Sequence, residues 1–269
     1  MSSTPRAIQA NSHREVAGSL LVVDNVSKTY QRPGSVFQAL ADINLTLPAG
    51  SFQSIVGASG CGKSTLLSII AGLMPASSGT VLVADQPLAR PRAELVTLIF
   101  QDPTLLPWLT ALDNVAFPLE LRGISRPERR DRAEQLLQLV GLAEFAHHYP
   151  RELSGGMRQR VAIARGLVLD PAVLLMDEPF GALDEQTRIR LGDELLSIWE
   201  RTRKTILFVT HSLSEAIYLS DRVFVLHGRP SRIAEVLDIA LPRPRNLSIM
   251  GSPEFGRLRN QIWNYLSQE

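Results

Sequence analysis

Cysteine is almost absent. Cys61 is the only one in 269 residues, which excludes an internal disulfide and suits a chain kept in a reducing compartment. Long apolar runs are lacking too: nothing approaches the roughly 20 consecutive apolar residues that a helix needs to cross a bilayer, so work at a membrane would require another chain to span it. No charge dominates, because 28 Lys and Arg stand against 27 Asp and Glu, and a net charge of +1 gives no electrostatic ground for nucleic acid as a partner. Aromatics are sparse at 6%, yet 45% apolar and 20% charged residues are ordinary for a folded chain, and the length suffices for one or two domains with a sizeable core. The first 18 residues, rich in Ser, Ala and Arg and without an apolar stretch, carry no secretory signal and predict a loose tail.

What is present is a sequence of short apolar runs cut by turn residues. Runs at 20–23, 43–47 and 52–56 have strand spacing. The third enters a glycine-rich loop, after which Leu66, Leu67, Ile69, Ile70 and Leu73 recur at helical intervals until Gly72 and Pro75 stop them. Strands are predicted at 80–84 and 95–100. From Asp102 to about Arg160 the strand-like runs disappear and helical periodicity takes over at 112–121 and 128–140, which predicts an inserted helical subdomain. A helix at 156–169, a buried strand at 173–176, a charged helix at 185–201 and the β-branched strand 205–210 follow, then strands at 223–226 and 233–237. After the Pro-rich residues 241–245, a short helix is predicted at 254–266. Alternation of this kind implies an α/β core with a parallel sheet.

Three constellations carry chemistry. Gly57, Ala58, Ser59, Gly60, Cys61, Gly62, Lys63, Ser64 and Thr65 form a phosphate loop between a strand and a helix: glycines let successive N–H groups face one concavity, and the helix adds its positive end. A triphosphate fits, with Lys63 reaching the β- and γ-phosphates and the Ser64 hydroxyl ligating Mg²⁺. Cys61 near that helix start is in a setting that lowers a thiol pKa, although a small residue tolerated in the loop is the plainer reading. Second, a buried strand delivers Asp177 and Glu178 to the C-terminal edge of the sheet, where α/β folds hold their ligands. Strand alternation points them in different directions, so that Asp177 would hold Mg²⁺ through water and Glu178 would act as general base. Third, Leu153, Ser154, Gly155, Gly156 and Met157 open a helix; Ser154 is either an anion-binding donor or a plain helix cap. His147 and His148 lack partners at metal-ligand spacing and read as a solvated helix end, and the mixed charges at 128–132 as an exposed helix face.

Taken in this order, with Ser154 23 residues before Asp177, the three motifs resemble those of the ATP-binding-cassette (ABC) ATPases, over about residues 20–237. The resemblance implies a P-loop NTPase (RecA-like) core with a mostly parallel sheet, an N-terminal antiparallel β-subdomain and an inserted helical signature subdomain. It divides the chain into a tail (1–18), a cassette (19–240, with the helical part at about 102–160) and a C-terminal extension (241–269). It further implies that residues 153–157 are the signature motif, with Ser154, Gly155 and Gly156 completing the ATP site of a second cassette in a homodimer. Gln101 matches the Q-loop glutamine that contacts Mg²⁺ or the attacking water, against a surface Gln at a strand end. Asp184 matches the D-loop acid that couples the two sites, and an ordinary helix cap fits it too. His211 matches the switch histidine at the γ-phosphate. Tyr30, which also simply ends a strand, matches the aromatic that stacks on adenine.

The chain carries one cassette, no membrane helices and no long coiled coils, which leaves a stand-alone importer subunit as the simplest reading. Residues 101–110, with Asp113, Asn114, Val115 and 118–123, resemble the nitrate, sulfonate and taurine importer group, and so does the Pro-Arg-Pro-Arg stretch before a short helix. The resemblance implies separate integral-membrane permease subunits, an extracytoplasmic solute-binding protein, and a peripheral place on the cytoplasmic face of the inner membrane. Leu105, Leu106 and Trp108 either border a groove for a permease helix or fill the subdomain core. A cassette for another small solute such as a vitamin precursor, a non-transport regulatory ATPase, and a P-loop kinase that would not need residues 153–157 remain as alternatives.

Overall fold

A computed structural model of the chain describes residues 19–267; the tail expected at 1–18 lies outside them. Two sheets form. The first, in the order β2-β1-β4-β5, is antiparallel and comprises β1 (Ser19–Arg32), β2 (Ser35–Pro48), β4 (Ser78–Val83) and β5 (Gln86–Pro87). The second has six strands in the order β10-β9-β3-β8-β7-β6. Here β3 (Phe52–Gly57), β6 (Val96–Ile99), β7 (Val173–Asp177), β8 (Thr205–Thr210) and β9 (Arg222–His227) run parallel, and β10 (Arg232–Asp238) closes the edge antiparallel to β9.

Every residue of β3 and of β8 is buried, because each strand is central and covered on both faces; β8 reads as a β-branched and apolar run, whereas β3 buries Gln53 and Ser54 as well. The pleat separates two cores. Leu174, Met176, Ile206, Phe208, Val223 and Val225 join the apolar cluster on the helix-covered face. Val173, Leu175, Leu207, Val209, Phe224 and Leu226 join the cluster shared with the antiparallel sheet and with α1 (Lys63–Ile70).

Three helices, α2 (Ala111–Leu121), α3 (Arg126–Leu139) and α4 (Gly155–Leu167), occupy the segment where strand-like runs vanish. Side-chain caps start two of them: Thr110 accepts from Asp113 N, and Ser154 from Met157 N. Helix α5 (Glu185–Thr202) begins on Asp184 and ends on Arg203 at φ 50°, and buries Leu191, Leu195, Ile198 and Trp199 along one face. Helix α6 (Leu213–Leu219), which periodicity did not predict, follows β8 and packs on β3. Helix α7 (Pro253–Leu266) buries Phe255, Leu258 and Ile262 in the same cluster as α5, so the residues beyond 240 are part of the core.

Candidate functional site

The site lies at the C-terminal ends of β3, β7 and β8, which sit side by side in the sheet. Strand β3 ends at Gly57, where the backbone is too confined for a side chain: a Cβ there would lie 2.7 Å from both the Leu226 carbonyl oxygen and Cys61 Sγ. Gly62, at φ 97°, then turns the chain into α1. That helix starts with no side-chain cap and no acid in its first turn, so its leading N–H groups are open to an anion. Lys63 is only 5% exposed and curls back over the loop, donating to the carbonyls of Gly57 (3.0 Å) and Ala58 (3.2 Å).

The second strand contributes the acids. Burial pushes the Asp177 carboxyl above its ordinary pKa, against the opposing pull of the neighbouring Ser64 side chain. Glu178 stands one residue beyond β7 at φ 45°, so the left-handed backbone, rather than strand alternation, aims its side chain. Its Oε1 lies 3.4 Å from Lys63 Nζ and its Oε2 2.7 Å from His211 Nδ1. Residues 63, 178 and 211, far apart in sequence, therefore form one contiguous line of polar side chains across three elements.

His211 follows β8 and is held by a knot that the sequence reading missed. Thr210 Oγ1 donates to Glu215 Oε2 and accepts from Ser212 N (2.9 Å), Ser212 Oγ accepts from Glu215 N (3.3 Å), and Arg188 Nε lies 3.4 Å from Glu215 Oε1. Burial raises the Glu215 pKa, against the pull of Thr210 and Arg188. The signal was there: Ser212 and Glu215 have the Ser-x-x-Glu spacing of a capping box.

The other expected residues fall in distinct places. Tyr30 lies over the start of α1, its hydroxyl 3.4 Å from Thr65 Oγ1 and 3.3 Å from Met74 Sδ. Gln101 is exposed and its amide lies against Gly181, so closely that a Cβ on that glycine would sit 3.0 Å from Gln101 Nε2. Asp184 caps α5 by accepting from Thr187 N (2.9 Å), and this bond holds its carboxyl below the usual range. Ser154 is an exposed cap whose Oγ accepts from Met157 N (3.2 Å) rather than from the phosphate loop of its own chain. Gly155 and Gly156 pack closely against Leu183 and Leu191, where an added Cβ would lie 3.0 and 3.3 Å from the leucine methyls. Cys61 corrects an expectation: burial pushes its thiol pKa up, and Lys63, which pulls it down, is the lesser influence. His148 packs its ring 5.2 Å from Phe145, and no cluster of three metal-ligating side chains exists among the described residues. The Ser64 hydroxyl and the Asp177 carboxylate are hard oxygen donors of the kind that suits Mg²⁺.

A cavity of about 490 Å³ opens between β6, α2 and α4, lined by Leu73, Phe100, Phe117, Leu121, Ala162 and Leu169. Arg165 borders it and donates to the carbonyls of Pro103 (2.7 Å) and Thr104 (3.0 Å). Trp108 is 69% exposed and does not fill the subdomain core, whereas Leu105 packs partly against that core.

Comparison with known proteins gives a consistent result. The sequence model of the family described as ABC transporter matches residues 40–181, more than half of the chain. The nitrate import ATP-binding protein NrtD of Synechocystis sp. is 48% identical, over 87% of this chain and 89% of its own. The taurine import ATP-binding protein TauB of Rhizobium johnstonii is 45% identical, over 90% of this chain and 95% of its own. A solved dimeric ATP-binding cassette, in a post-hydrolysis state bound to ADP and Pi, superimposes with a TM-score of 0.72 at 34% identity, covering 82% of this chain and all of that one. Sequence motifs, sheet order and these matches agree, and the chain belongs to the ABC transporter family.

Proposed function

We propose that this chain binds and hydrolyses ATP as the cassette subunit of an importer for a small solute of the nitrate, sulfonate or taurine kind. The observation that carries the reading is the line Lys63–Glu178–His211 beside the Ser64–Asp177 pair, all within reach of an uncapped helix start that suits phosphate. Lys63 would pair with the β- and γ-phosphates, Tyr30 would stack on adenine, and Glu178, oriented by His211, would accept a proton from the attacking water. Mg²⁺ held by Ser64 and Asp177, with Gln101, would supply charge neutralisation on the phosphates.

Ser154 is exposed at a helix start and makes no bond to its own loop, which supports its use on the nucleotide of a second copy, with Asp184 near the junction. Likeness to a dimeric cassette supports the same arrangement. The apolar cavity beside Phe100 and Gln101 suits a cytoplasmic helix of a separate permease subunit, and no described helix is long and apolar enough to cross a membrane itself. A peripheral place on the cytoplasmic face follows from this reading, as does an indirect link to an extracytoplasmic solute-binding protein.

A mixing experiment tests the core of it. Lys63→Ala and Ser154→Arg chains are each expected to be inactive as purified proteins. Mixed in equal amounts, random pairing restores one intact composite site in half of the dimers, about a quarter of native phosphate release. No recovery on mixing, or Ser154→Arg retaining full activity alone, overturns the composite site.

A further inference from the structure

Two arginines from the segment after β10 converge on the C-terminal end of α6. Arg245 is only 6% exposed, and its guanidinium faces carbonyls alone: Nη1 donates to Ile217 O (3.1 Å), Tyr218 O (2.9 Å) and Ser220 O (2.8 Å), and Nη2 to Ile239 O (3.3 Å) and Leu241 O (3.3 Å). It has no carboxylate partner within ion-pair distance among the described residues, and burial lowers its pKa to about 10, which leaves it charged at neutral pH. Arg243 donates to Leu219 O (2.7 Å), pairs with Asp221 (2.8 Å), and lies over the Trp199 ring at 4.2 Å. Between them, the two side chains take the carbonyls of residues 217–220, which a helix ending there leaves without partners of its own.

Burying a cation against carbonyls costs desolvation, which these hydrogen bonds offset, and an apolar side chain of similar volume would leave the same carbonyls without partners. What a planar five-donor fork adds is direction: it fixes the position and rotation of the group it grips. The helix it grips has seven residues, about 10 Å, and so few internal bonds that its place is set by its ends. At the other end Ser212 caps that helix, and the same cap joins the Thr210 and Glu215 knot from which His211 reaches Glu178 at 2.7 Å.

We propose that Arg245, assisted by Arg243, is a positioning residue for His211: the 241–245 strap holds α6 at its far end so that the imidazole stays on Glu178. The strap touches no nucleotide-facing residue directly. Its influence runs along one short helix, and a displacement of about 1 Å at a reacting group costs on the order of 100-fold in rate. The inference rests on the ATP-hydrolysing reading above and adds a residue to it.

The test is a double-mutant cycle on the full chain, assayed for phosphate release well below each variant's melting temperature. Arg245→Gln is expected to lower kcat by about 10- to 100-fold with KM for ATP changed less than about threefold. Arg245→Lys, which keeps the charge but loses the fork, is expected to recover only part of that loss. In a His211→Ala background, Arg245→Gln is expected to cost less than about twofold, because the residue it serves is already gone. Equal losses in both backgrounds, or a fall in melting temperature with kcat unchanged, overturns the strap and leaves the hydrolytic reading intact. Unchanged turnover in His211→Ala alone overturns the hydrolytic role of His211 itself. Should Arg245→Gln fail to fold, Arg243→Gln carries the same cycle, with the same outcomes deciding it.

Discussion

Replacing Glu178 by Gln gives the sharpest test of the site. Gln keeps the volume and one hydrogen-bonding oxygen but loses the charge that lies 3.4 Å from Lys63 and the carboxylate oxygen that meets His211 at 2.7 Å. A positioned general base contributes about 100- to 10,000-fold, or roughly 2.7 to 5.4 kcal/mol of barrier. Single-turnover phosphate release from Mg-ATP should fall by that factor. Binding should move the other way or stay level. Before nucleotide arrives, the Lys63 ammonium is shared between Glu178 and the carbonyls of Gly57 and Ala58, so an incoming phosphate must compete with the carboxylate for it. Removing the carboxylate removes a competitor and a repulsive charge, and fluorescence titration with an ATP analogue should show affinity equal to or tighter than native. Phosphate release within about threefold of native would refute the assignment of the base. Affinity weakened tenfold or more would show that Glu178 holds the loop in shape instead of serving the reaction.

Two further outcomes follow from the cavity region. Glu94 and Arg122, 2.7 Å apart, bridge the segment before β6 to the end of α2, and the Arg122 hydrogen bond, with Arg92 behind it, holds the Glu94 carboxyl down at about 2. A pKa depressed in the folded chain stabilises fully above the unfolded value, about 4.5, and is lost as pH falls towards 2. Glu94→Gln should therefore flatten the dependence of melting temperature on pH between about 4.5 and 2, an effect that added salt diminishes because both groups are exposed; an unchanged slope would refute the linkage. Leu121 is 72% exposed on the cavity wall, so Leu121→Glu should fold and hydrolyse ATP normally yet fail to co-purify with the proposed permease subunit, and retained co-purification would place the dock elsewhere.

Sequence reading succeeded where one local rule decides the outcome. The run 205–210 became β8 at the same limits because β-branched and apolar residues filled every position of a strand buried on both faces. It fell short where pairing or burial decides. Strand β1 continues through Asn25, Ser27, Lys28 and Thr29 to Arg32, past the apolar residues that mark its start, because β2 and β4 supply ladder partners across irregular register. Helix α6 spans under two turns, too short to display a period, although its capping spacing was visible. The Cys61 thiol moved opposite to expectation because loop chemistry can be read from neighbours in sequence, whereas burial cannot. The meeting of Lys63, Glu178 and His211 depends on the strand order β3-β8-β7, which motif order alone does not contain.

That strand order also bears on how a permease would sense the nucleotide. Phe100 lines the apolar cavity, and the next residue, Gln101, lays its amide so close to Gly181 that a Cβ there would sit 3.0 Å from Gln101 Nε2. From the other side Gly155, at the start of α4, lies equally close to Leu183. Residues 181–184 therefore meet both Gln101, next to the cavity-lining Phe100, and the start of α4; they begin three residues after the proposed base and end on Asp184, the cap of α5. Close-packed contacts transmit small shifts because they have no slack to absorb them. A wedge in the cavity that displaced Phe100 would be felt at Gly181 before it reached any residue on the phosphates, and closure around the nucleotide would be felt there through Leu183. In the proposed reading, then, the segment 181–184 is where transport and hydrolysis exchange information, and the catalytic side chains need no direct contact with the permease.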